Sequence, residues 1–110
     1  MSLHDLTALE QATAIRRGEV SAVELTEHYL RRSEQVEGAF VVLPPDLALE
    51  QARAADAAVA DGTASGDLFG VVCPVKDLHF MVGANARMGS AVFDLSSYED
   101  DYVVKAMRDA

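Results

Sequence analysis

Leu68-Phe-Gly-Val-Val-Cys-Pro-Val-Lys-Asp-Leu78 is the stretch on which the reading of the fold turns. It is apolar and β-branched until it ends abruptly in a lysine and an aspartate. Such a run reads as a buried strand that delivers a charged side chain, Lys76, at its carboxyl end. Pro74 removes a ladder donor, so the strand is expected at an edge or with interrupted pairing. The expected class is α/β, with strand Val71 to Val75 needing cover on both faces.

Upstream, the same chemistry marks two helix starts. Thr7-Ala-Leu-Glu10 and Ser21-Ala-Val-Glu24 both read as capping boxes, in which the hydroxyl accepts from an early N–H and the glutamate reaches back to the cap. The first helix is predicted from about Ala8 to Arg17, with Leu9, Ala12 and Ile15 inward. Arg16 and Arg17 complement its dipole and Gly18 supplies the stop. The second is predicted from about Ala22 to Gln35, burying Val23, Leu30 and the body of Tyr29. Together they predict a helical hairpin at the N-terminus. Ala39-Phe-Val-Val-Leu43 is a short strand candidate ended by Pro44 and Pro45. Asp46 is placed to cap a third helix from about Leu47 to Ala60, with Ala48, Ala52, Ala55 and Val59 on a shallow face.

Downstream of Asp77, the segment Leu78 to Ser90 is long for a connection and is punctuated by Gly83 and Gly89, both expected at positive φ. Segments of this kind often line a site. A last helix is expected after Asp100 as its N-cap, with Val103, Val104 and Met107 inward.

Composition bounds the function. With 18 acidic against 9 basic residues the net charge is −9, which disfavours direct contact with nucleic acid or an anionic membrane. The single cysteine forbids an internal disulfide and fits a reducing compartment. Neither a signal peptide nor an apolar run near the ~18 residues of a membrane span is visible. A cytoplasmic protein of one domain is expected, since domains most often run to about 100–150 residues.

Lys76 is the strongest chemical candidate. At the end of a buried strand it loses hydration, which lowers its pKa toward that of a general base, provided Asp77 points elsewhere. A neutral lysine can activate a serine in place of histidine. The plain alternative is a lysine whose stem follows the strand to solvent, and the residues alone leave both open. His4, His28 and His79 lack metal-ligand spacing and read as solvated or packed. Cys73 reads as an inert core thiol. Gly62, Gly66 and Gly70 do not form a phosphate cradle, and Asp100-Asp101 reads as a helix start. No serine sits in a nucleophile elbow. No cofactor and no metal are expected.

Gly70-Val-Val-Cys-Pro-Val-Lys-Asp77, followed by Gly83, Gly89-Ser90 and Asp100-Asp-Tyr-Val-Val104, resembles the N-terminal portion of the amidase signature family. The resemblance spans nearly the whole chain, including Ser21-Ala-Val-Glu-Leu25 and the alanine-rich third helix. Members usually read Gly-Val-Pro-x-x-Val-Lys-Asp here, and their lysine belongs to a serine, cis-serine, lysine triad that hydrolyses amides. By resemblance Lys76 maps onto that lysine. The family proline after Gly-Val is Val72 here, and the usual Pro-Thr-Thr-Ala before Gly-Ser is Asn85-Ala-Arg-Met88. The glycine- and serine-rich signature with both serines has no counterpart within the 110 residues.

The resemblance implies an incomplete amidase-signature fold: a helical hairpin and part of a mixed central sheet with packing helices, residues 1–110 being the N-terminal part of a single domain. It implies a fragment, itself inactive, of a hydrolase that cleaves carboxamide C–N bonds. Its partners would be a small-molecule amide in the complete enzyme and either a second copy of itself or a complementary C-terminal chain. One alternative is the A subunit of a glutamyl- or aspartyl-tRNA amidotransferase. Another is a non-catalytic binding or assembly module.

Overall fold

A computed structural model describes residues 1–110. A single 3-10 turn, Leu3–Asp5, precedes four helices: α1 (Ala8–Arg16), α2 (Ala22–Glu34), α3 (Pro45–Asp61) and α4 (Tyr102–Asp109). Between α3 and α4 the chain is a long run of turns and extended backbone. Its only pairings are two isolated antiparallel bridges, Met81 with Ala84 and Ala86 with Leu95.

The helix starts follow from local chemistry. Thr7 Oγ1 accepts from the Glu10 N–H, and Glu10 Oε2 accepts from the Thr7 N–H at 2.7 Å. Ser21 and Glu24 repeat the arrangement at 2.9 and 2.8 Å. Both predicted capping boxes are present. Helix α3 instead begins with Pro45 in its first turn, where the missing N–H costs nothing, so Asp46 lies inside the helix rather than capping it. Gly62 ends α3 in the left-handed conformation. Asp101, one residue later than expected, caps α4 by accepting from the Val104 N–H.

Helix α2 packs chiefly on α3. Ala22, in the first turn of α2, meets Asp56 in the later part of α3, so the two run antiparallel. The hairpin is therefore α2 with α3, not the first two helices as expected. Ile15, Leu25, Ala22 and Ala14 form the core with Val20 and Ala52, and Val23, Tyr29, Ala55, Val59 and Val72 pack around it. Leu25 is wholly buried while Leu9, expected inward, is 62% exposed. The inward face of α2 runs through Ala22, Leu25 and Thr26.

The expected α/β class with a central sheet is not what the chain forms. A strand needs a neighbour to take up its backbone groups, and neither Val71 to Val75 nor Ala39 to Leu43 has one. The apolar run satisfies its side chains differently. Gly70, at φ +80°, lets the chain pass so close to α1 that an added Cβ would lie 3.0 Å from Ile15 Cδ1, and Val72 then packs against the helical core. Cys73 and Pro74 point out, so Cys73 is an exposed thiol rather than a core one.

Candidate functional site

Lys76 opens a tight turn, its carbonyl accepting from the His79 N–H at 3.0 Å. The residue is exposed, so the dehydration expected at a strand end is absent in this fold. Two shallow grooves, one over α1 around Leu9 and Thr13 and one beside Tyr29 and Phe40, contain neither Lys76 nor Asp77.

Asp77 does point elsewhere. Its Oδ1 accepts from the Arg87 N–H at 2.7 Å and its Oδ2 from the Gly89 N–H at 3.1 Å. Its backbone carbonyl takes the Met88 N–H at 3.0 Å. Three consecutive amides of the 87–89 turn are thereby gathered onto one residue. Those bonds, the Arg87 amide first, hold the carboxyl below the usual aspartate range. They also retain Met88 at φ +55°, a left-handed conformation that costs a non-glycine residue about 1–2 kcal/mol. The turn at the end of the glycine-punctuated segment is thus fixed to the residue next to Lys76 in the chain. Arg87 contributes the chain's one buried side-chain nitrogen without a partner, its Nε.

The segment is fastened at its other side by the acidic pair. Asp101 accepts from the Phe80 and Val104 N–H groups at 3.1 and 3.0 Å, and its Oδ2 lies 3.0 Å from His79 Nδ1. Asp100 accepts from the Val82 N–H at 2.9 Å and pairs with Arg108. Both carboxyls are held low, chiefly by the Val104 amide for Asp101 and by the Val82 amide for Asp100. The helix-start reading holds, and the pair also ties α4 to the loop after Lys76.

Asp77 and Asp101 are not legible as anchors in the sequence, because the loop amides and the imidazole they hold lie 10 to 22 residues away. His4 and His28 likewise come together, their facing nitrogens 2.9 Å apart. An aspartate directly after the lysine that closes an apolar run carries no local sign of which amides it will collect.

The profile of the Amidase family matches residues 24–110, and the chain belongs to that family. Similar proteins include the A subunit of the glutamyl-tRNA(Gln) amidotransferase of Jannaschia sp. strain CCS1, 39% identical over 98% of this chain and 22% of that protein. The protein of the same name from Thermobifida fusca is 40% identical over 96% of this chain and 22% of its own length. A protein carrying the amidase name AmiD, from Mycobacterium bovis, is 36% identical over 99% of this chain and 24% of its own. The chain thus spans less than a quarter of the length of the curated relatives it matches. No helix is long and apolar enough to cross a membrane.

Proposed function

We propose that residues 1–110 are the N-terminal part of a single amidase-type domain and that Lys76 is the terminal base of a serine, cis-serine, lysine triad in the complete protein. The observation that carries this reading is the position of Lys76 within the family match, exposed and beside a turn anchored by Asp77. In that reaction a serine Oγ attacks the carboxamide carbon, and its proton passes through the cis-serine to the lysine amine. Protonation of the leaving nitrogen then lets the C–N bond break, and water releases the acyl group. Neither serine belongs to these 110 residues, so the chain alone hydrolyses no amide.

Lys76→Ala in the complete protein should lower carboxamide turnover by about 10²–10⁴-fold, the usual contribution of a positioned acid or base. Ammonia release would be followed with the wild type in parallel. Undiminished turnover by Lys76→Ala would end the assignment.

A second reading is favoured by the names of two of the relatives: the A subunit of a tRNA amidotransferase. Glutaminase activity appearing only when a second chain is added would support it. With a net charge of −9, contact with tRNA would then fall to the partner rather than to this chain. Either activity is cytoplasmic, in keeping with a lone, exposed cysteine.

A further inference from the structure

His4 lies in the 3-10 turn and His28 on α2. Their ring planes differ by 15° and their centroids are 5.1 Å apart. That separation is what a 2.9 Å contact between His4 Nδ1 and His28 Nε2 plus two ring radii gives, so the nitrogens point at each other. On the far side of His4, Arg32 Nη1 lies 3.1 Å from Nε2.

The proton positions follow by elimination. A guanidinium only donates, so His4 Nε2 must present its lone pair and the His4 proton sits on Nδ1. Nδ1–H then donates to His28 Nε2, which must also be bare, with Ser2 Oγ at 2.9 Å sharing the same proton. Every contact in the row is satisfied only when both imidazoles are neutral. A proton added to His28 sets two N–H groups face to face. One added to His4 sets an N–H against the guanidinium.

We propose that the His4–His28 bond is a pH-dependent latch that fastens the N-terminal 3-10 turn to α2 and opens on mild acidification. The charged groups around the pair are Arg31 and Arg32 from α2 and Asp5 from the turn, with His28 also edge-on to the Tyr29 ring. Both arginines oppose a further positive charge. Asp5 Oδ1, 3.7 Å from His4 Nε2, favours one and softens the switch. Burial first, then His4 and the two arginines, hold His28 below the ordinary imidazole value. Because the folded-state value is the lower one, the latch is fully formed above the ordinary value of about 6.5 and is lost as pH falls through the depressed one. Gln11 Nε2, donating to Leu3 O at 3.0 Å and lying 2.9 Å from Tyr29 Oη, holds the same turn by bonds that do not titrate. Opening therefore loosens the turn without freeing the whole N-terminus.

The test is ¹⁵N NMR on the chain itself. Long-range spectra at about pH 7.5 should report His4 protonated at Nδ1 and His28 bare at Nε2. Between about pH 7.5 and 5, exchange protection of the Asp5 and Leu6 amides, corrected for intrinsic rates, should fall severalfold as the bond that fastens the turn is lost. His28→Gln offers an amide oxygen to His4 Nδ1–H and cannot titrate in this range, so its protection should change much less. His28 titrating at an ordinary value with Asp5 and Leu6 protected equally at both pH values would overturn the latch. So would the Nε2–H tautomer at His4. The wild-type measurements decide the matter even if the variant fails to fold.

Discussion

A single carboxylate, Asp77, sets the shape of the turn beside Lys76. It does so as an anion, since both side-chain oxygens accept from main-chain N–H groups and a protonated acid would turn one acceptor into a donor. Asp100 and Asp101 behave in the same way toward the Val82, Phe80 and Val104 amides. All three are held below the ordinary carboxyl range, so their support is complete above about pH 3.9 and is lost as pH falls through the depressed values. Urea midpoints should be level from neutrality to about pH 5 as far as these groups are concerned, then drop in the acid limb. Asp77→Asn keeps only one accepting oxygen and should flatten that limb as well as lower the plateau. An acid limb identical to that of the wild type would argue that the Asp77 bonds do not form in solution.

Among the elements, α2 is the one most completely fastened at its start. Ser21 and Glu24 serve each other, while Asp56 of α3 accepts from the Ala22 and Val23 N–H groups at 2.7 and 3.1 Å. Asp56→Ala should cost about 0.5–2 kcal/mol, the range for losing an N-cap, because it leaves two first-turn donors without partners. Chemical denaturation followed by helix signal would measure it, and an unchanged midpoint would mean water replaces the carboxylate without loss. This contact also marks the limit of what the chain discloses as a string. Capping boxes at Thr7 and Ser21 are readable because their parts lie three residues apart. The role of Asp56, the meeting of His4 with His28 and the turn built on Asp77 depend on tertiary approach, and no local pattern encodes them. Val71 to Val75 misleads for a different reason. Apolar, β-branched side chains fit a pleated surface, but burial of Val72 against helices satisfies them as well, and only a neighbouring strand would decide for the sheet. Lys76 stands out through its sequence setting, whereas its exposure does not follow from that setting.

At the scale of the molecule, too little is covered. The accessible surface is 7377 Å² for 11.8 kDa, where a monomeric globular protein of that mass has about 5,900 Å². The excess is consistent with a body extending 44 × 30 × 21 Å. Much of it is apolar: Phe40, Val41, Leu78, Val82, Val92 and Phe93 are each at least 41% exposed. So many large apolar side chains left in water favour association. The isolated chain should bind a hydrophobic dye and sediment with concentration-dependent mass. A monomeric profile at all concentrations with no dye binding would contradict this expectation.

The Asp56 contact has a consequence for how the chain is made. Synthesis runs from the N-terminus, so α2 leaves the ribosome before the residue that completes its first turn has been joined to the chain. Until Asp56 has emerged and residues 35–44 have reversed direction, the Ala22 and Val23 amides lack the carboxylate that accepts from them in the folded chain. During translation α2 is therefore an unfinished helix, and the hairpin closes as an event timed by the appearance of α3.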